Sequence, residues 1–220
     1  MRPTTVSVAS KRAQQPAARR RRDHGRPIDP IGRHALLDAA RQQFAKAGYD
    51  GTTMRDIAAV SGMLAGSIYY YFDSKEALFL AVHEHAIEHI CASVLRSMAE
   101  AIDPWTRLQC AAQGYLESML LEPEYASIIV SESPFTHAEA LREGLIAHRR
   151  RFEALFTDLV AALPLREDVD RRYVRLAILG MLAWSYIWYR SSGKDSPRVI
   201  ADKLVHLLKD ATDVPRETAG

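Results

Sequence analysis

The sequence predicts an all-α chain, a small three-helix unit followed by a larger helical domain. Two observations carry that expectation. From Arg33 onward apolar residues recur at helical spacing almost throughout, and no run alternates with period two over a useful length. A third, the segment TTMRDIAAVSGMLAGSIYYYF, places a small residue, a turn glycine and two apolar plugs between a pair of short helices.

Taken in order, Ala35, Leu36, Ala39, Ala40 and Phe44 form one face of a first helix ending at Gly48. Thr52 and Thr53 offer hydroxyl caps for a short second helix through Val60. Ser61, Gly62 and Met63 make a turn, and a third helix runs to about Phe72. Asp73 and Ser74 cap a long fourth helix reaching about Glu100. Pro104 and Pro123 each suit the first turn of a new helix, since proline has no N–H to leave unpaired there. Two long amphipathic stretches follow, about 137–163 and 169–191. Ser196 and Pro197 open a last helix with Val199, Ile200, Leu204, Leu207 and Leu208 as its stripe.

Residues 176–189 carry no charge, yet at 14 residues they fall short of the ~20 that span a bilayer. They read as a helix buried in its own core and against a partner, with Gly180 and Ala183 permitting close approach. No membrane segment is expected.

The 220 residues suffice for a sizeable core, and 48% hydrophobic with 25% charged residues reads as soluble and globular. Cys91 and Cys110 have no metal-like spacing and read as reduced thiols of a cytoplasmic protein. The net charge of +2 hides an asymmetry. Residues 1–32 hold eight basic residues against Asp23 and Asp29, a net +6, which leaves −4 for the rest. That stretch has few large apolar residues and no periodicity, so it reads as a disordered basic arm. A twin-arginine signal is excluded because no apolar segment follows RRRRDHGRPIDP. A transit peptide fits the acid-free first 22 residues, and a nucleic-acid-binding arm or a plain solvated tail fits as well.

The short helices carry the function. Ala58 is small enough where two helices cross, and Gly62, four residues on, tolerates positive φ in the turn. Ile57 and Ile68 plug the space behind them. Those offsets form a helix-turn-helix. Residues about 33–80, with LLDAARQQFAKAGYDGTTMRDIA and AGSIYYYFDSKEALF, resemble the DNA-binding domain of the TetR family of bacterial transcriptional regulators. The resemblance implies a homodimer on a pseudo-palindromic double-stranded operator, and release of that DNA when a small effector binds the remaining helices. The divisions expected are an arm over 1–32, a DNA-binding domain over 33–76, a ligand-binding and dimerisation domain over 77–213 and a disordered tail over 214–220.

The three consecutive tyrosines sort by helical phase, because neighbours lie about 100° apart. Ile68 and Phe72 point inward and Tyr71 helps close the small core, whereas Tyr69 and Tyr70 lie toward the outer face. Gly66 permits close backbone approach, Ser67 offers a hydroxyl to base edges, and Thr53 and Lys75 sit at helix starts that hold phosphates. By resemblance the DNA-contacting set is Thr53, Ala65, Gly66, Ser67, Tyr69, Tyr70 and Lys75. Leu64 and Ala65 stand where the family often has a hydroxyl cap and a lysine, so this recognition helix lacks its side-chain cap and one cation. Residues 33–75 hold five basic residues against four aspartates, which leaves the arm to supply attraction.

The stretch HEHAIEH (83–89) matches the H-x-x-E-H pattern of a zinc peptidase family through His85, Glu88 and His89. A zinc hydrolase and a metal-responsive regulator are the alternatives it raises, against ordinary pocket-lining or core histidines. No third-ligand motif follows, so no metal site, cofactor or catalytic residue is assigned. Trp105, Tyr115, Phe152, Phe156, Trp184 and Tyr186 fall on helices expected to surround a cavity. His85, His89, Tyr115, Met119, Phe156 and Trp184 are the expected ligand contacts. WYRSSGKDSPRVIADKLVHLLKDA is similar to the branch regulating steroid and fatty-acid breakdown in response to CoA thioesters. A hydrophobic or acyl-CoA-like effector follows from that similarity, although residues 176–189 offer no cation to a CoA.

Overall fold

A computed structural model describes residues 29–130 and 139–213. Most of the expected basic arm, residues 1–28, lies outside the described residues, as does the tail 214–220. Among the described residues the chain forms α1 (Pro30–Ala47), α2 (Met54–Ser61), α3 (Ala65–Tyr71), α4 (Lys75–Ser97), α5 (Pro104–Leu121), α6 (Pro123–Val130), α7 (Glu139–Ala161), α8 (Arg171–Trp188) and α9 (Pro197–Thr212). Among the described residues the regular backbone is helical, with one isolated bridge between Leu165 and Asp213.

The boundaries follow from local chemistry. Thr53 accepts from the Asp56 N–H while the Asp56 carboxylate accepts from the Thr53 N–H, a reciprocal capping box. Ser74, Asp103, Asp170 and Ser196 cap α4, α5, α8 and α9, each accepting a first-turn N–H. Gly62 ends α2 at φ 68°, a left-handed conformation that glycine adopts without steric cost. The first helix begins earlier than periodicity suggested. Asp29 accepts from the N–H groups of Ile31 and Gly32, both at 3.1 Å, and Pro30 takes a position needing no donor.

Two apolar cores result. The first gathers Leu36, Ala40 and Phe44 of α1, Ile57 of α2, Ile68 of α3, and Leu78, Phe79 and Val82 of α4. It also takes in Ile128 of α6 and Leu141 and Leu145 of α7. The second begins at Ile87 on α4 and runs through α5, α7, α8 and α9, with Leu108, Leu116, Phe156, Ile178 and Val205 among its members. Gly114 lets α5 lie close on α4, since a Cβ there would stand 2.8 Å from the Ser93 carbonyl oxygen. α4 therefore belongs to both cores. It is also long and apolar enough to cross a membrane, but its apolar side chains form the wall those cores share.

α8 buries Val174, Ile178, Leu182 and Ser185 and presents Tyr173, Leu176, Trp184, Ile187 and Trp188 to the outside. On α9, Val199 and Leu207 are exposed as well.

Candidate nucleic-acid interface and effector cavity

α3 projects from the small core with Ile68 fully buried and Phe72 behind it. Gly66, Ser67 and Tyr69 are exposed, and Ala65 is half-buried at the helix start. Space around Gly66 is open. Tyr70 is half-buried and meets Tyr71 edge-on at 5.3 Å. Tyr71 turns back on the first core, its hydroxyl lying against Gly32 of α1. No side chain caps α3, as the sequence indicated, and Leu64 at that position is 81% exposed.

Two of the expected DNA contacts are already engaged within the fold. The Thr53 hydroxyl donates to Asp56 at 2.6 Å, and this bond with the backbone one holds the Asp56 carboxyl below its ordinary range. The Lys75 ammonium donates to the carbonyls of Tyr49 (2.9 Å) and Thr52 (3.2 Å) and sits 4.2 Å from the Tyr49 ring centroid. Lys75 thus ties the α1–α2 turn to α4, which leaves at most one of its three N–H groups for a phosphate. Arg55, exposed on α2, is a cation that sequence reasoning passed over. Its place in TTMRDIA, one residue into a capped helix, was the available signal.

The larger domain contains a cavity of about 330 Å³. Ile87 and Ile90 of α4, Tyr115 of α5, Ile129 of α6, Phe152 of α7, and Leu179 and Ala183 of α8 give it an apolar lining. His83, Arg149 and Glu153 bring polar groups. His83 is buried, its Nδ1 3.0 Å from Nδ1 of His148 with the rings stacked. Burial pushes the Tyr115 hydroxyl up to about 12, so it stays a neutral donor at physiological pH.

Of the six expected ligand contacts, Tyr115 lines this cavity. Met119 and Phe156 are buried in the second core behind it, so they support the wall rather than form it. Trp184, 64% exposed, stands on the outer face of α8, away from the side that carries Leu179 and Leu182 inward. His85 and His89 are not in the lining of this cavity. They turn toward α6, His89 stacking on Tyr125 at 4.2 Å and bonding Glu122, and His85 lying 6.4 Å from the same ring. Glu88 meanwhile pairs with Arg151 of α7 at 3.1 Å. The H-x-x-E-H residues are therefore dispersed over two interfaces, and among the described residues no group of three potential ligands converges for a metal. Cys91 and Cys110 are free thiols. Sequence reasoning also sought a cation on α8, whereas Arg149 of α7 supplies one, one turn from Phe152.

A helix-turn-helix on a helical body with its own apolar cavity is the build of a DNA-binding transcriptional regulator. Residues 36–82 match the family model for bacterial regulatory proteins of the tetR family, and residues 101–211 match that for the tetracyclin repressor-like C-terminal domain. The chain belongs to the TetR family. It is 30% identical over 173 residues to the HTH-type transcriptional repressor Rv1474c of Mycobacterium tuberculosis, covering 77% of this chain and 87% of that one. It is 26% identical over 192 residues to the repressor KstR2 of Rhodococcus jostii, with 83% and 92% covered. The fold matches the crystal structure of AibR in complex with isovaleryl coenzyme A and operator DNA, with TM-score 0.68, 23% identity, and 80% and 97% covered. Rv1474c and KstR2 are both repressors of transcription.

Proposed function

We propose that the chain is a cytoplasmic, homodimeric repressor that leaves its operator when a small amphiphile enters the cavity, and that it catalyses no reaction. The observation that carries this is on α6. Ile128 is buried in the core of the DNA-binding unit, and the next residue, Ile129, lines the cavity. A ligand that moves α6 therefore acts on both sites through one short helix. α4 does the same with Val82 in the first core and His83 and Ile87 at the cavity. Ligand binding then favours a spacing of the two α3 helices that no longer fits half-sites about 34 Å apart.

The apolar lining fits a small acyl group, and Arg149 favours an anionic head. An acyl-CoA has that chemistry, and one occupies AibR. The expected result is a rise of several degrees in melting temperature with isovaleryl or longer acyl-CoAs at about 100 times Kd. Stabilisation by zinc or another divalent metal, with none from any acyl-CoA or fatty acid, sinks this reading of the effector.

On the DNA side, Ser67 and Tyr69 are the outward polar groups of α3, joined by Tyr70, with the Gly66 and Ala65 backbone and Thr53 behind them. Ser67→Ala and Tyr69→Ala are expected to weaken operator binding about tenfold each without changing the melt. Tyr71→Ala should instead lower the melting temperature, because its ring belongs to the small core. A silent Tyr71→Ala, or unfolding on Tyr69→Ala, would refute this assignment of faces.

A further inference from the structure

The histidines that turned out not to face the cavity do face something particular. Two side chains from different helices pack on the ring of Tyr125 of α6. The Arg41 guanidinium of α1 lies 4.9 Å from its centroid, and the His89 imidazole of α4 stacks on it at 4.2 Å with 4° between the planes. Each is anchored by a carboxylate at an end of α6 or just before it. Arg41 pairs with Glu124, with Asp38 of its own helix 3.6 Å away, and His89 Nε2 lies 2.9 Å from Glu122. The Arg41 side chain is only 14% exposed. Its Nε is buried with no hydrogen-bond partner, so the ring and Glu124 hold it rather than a full set of acceptors.

We infer that Arg41, Tyr125 and His89 form a clasp that makes the DNA-binding unit share the stability of the effector-binding body, with α6 as its pin. The inference rests on the reading of α6 as the link between the two sites. Three separate elements meet at one ring: α1 from the DNA-binding unit, α6 between the cores, and α4 from both. Apolar contact at Ile128 alone lets α1 slide over α6, because dispersion is not directional. A flat ring held by a guanidinium and an imidazole fixes register, since both stacks fall off when the planes shift. The clasp closes only when α6 presents Tyr125 to the two. A shift of α6 driven from Ile129 opens it and frees α1.

The test needs neither effector nor DNA, so its failure leaves the assignment of the cavity standing. Hydrogen exchange is followed on the full-length protein and on Arg41→Met, Tyr125→Leu, the double variant and Tyr125→Phe. Each single change is expected to speed exchange in α1–α3 about tenfold while α5 and α9 keep wild-type rates. The double variant should match the single ones, because both remove one shared interaction. Tyr125→Phe should behave as wild type, because the ring is what both neighbours use. Uniform acceleration through α5 and α9 would mean ordinary destabilisation and overturn the clasp. So would additive effects, or unchanged α1–α3. If Tyr125→Leu does not fold, Arg41→Met against Tyr125→Phe carries the same comparison.

Discussion

Glutamate at both Leu176 and Trp184 is expected to convert the dimer to monomers and lower operator affinity by more than about 100-fold. Leu176 is 48% and Trp184 64% exposed on the outer face of α8, beside Tyr173, Ile187 and Trp188, with Leu207 of α9 close in exposure at 63%. A monomer rarely leaves so many large apolar side chains in water, and a second copy is the simplest cover. Tryptophan is enriched among the few residues that anchor interfaces, where truncation costs about 2 kcal/mol or more. A two-fold axis doubles every substitution, and burying a carboxylate in an apolar face carries a desolvation cost. The loss on DNA follows from geometry: a monomer holds one half-site and forfeits the effective concentration of the second, a factor of about 10² to 10⁴. Light scattering and operator titration measure the two effects. A variant that stays dimeric places the interface elsewhere.

What was legible in the sequence is what local chemistry decides. The caps at Thr53, Ser74 and Ser196, the prolines opening α5, α6 and α9, and the left-handed Gly62 depend on residues within a few positions of each other. Asp29 and Pro30 obey the same rules, but charge composition assigned them to the tail. Facing on α4 is decidable from helical phase. His83 shares a stripe with Ile87, Ile90 and Val94, while His85, two residues on, is rotated about 200° from it.

Phase on α8 is harder to read. A helix without charge over 176–189 offers no polar face to fix its phase, so nothing local separates Trp184 outside from Leu182 inside. Met119 and Phe156 show a related limit, because size and apolarity are common to a cavity wall and to the core behind it. Lys75 depended on Tyr49, 26 residues away, and Tyr125 on partners in two other helices. Such pairings are set by how helices cross, which spacing along one helix does not encode.

Phe44→Ala is expected to unfold the DNA-binding unit first and abolish operator binding while the body stays dimeric. Phe44 is 2% exposed at the centre of the first core. Its ring meets Phe79 edge-on at 4.9 Å and lies nearly parallel to Tyr49 at 6.1 Å. Tyr49 in turn holds Lys75 through its ring and carbonyl, so the aromatic group joins α1, the α1–α2 turn and the start of α4. Removing a buried phenylalanine costs about 3–5 kcal/mol in lost transfer energy and cavity. That is a large part of the roughly 5–15 kcal/mol that stabilises a typical domain. The second core does not include Phe44, and α5, α8 and α9, which pack only there, keep their packing. The expected melt has an early step, about 10 °C or more below wild type, in α1–α3. Phe156→Ala is the control: a ring equally buried, in the second core, whose loss should weaken the body and its cavity instead. Wild-type operator affinity and a single unshifted transition in Phe44→Ala would show that the first core does not rest on this aromatic group.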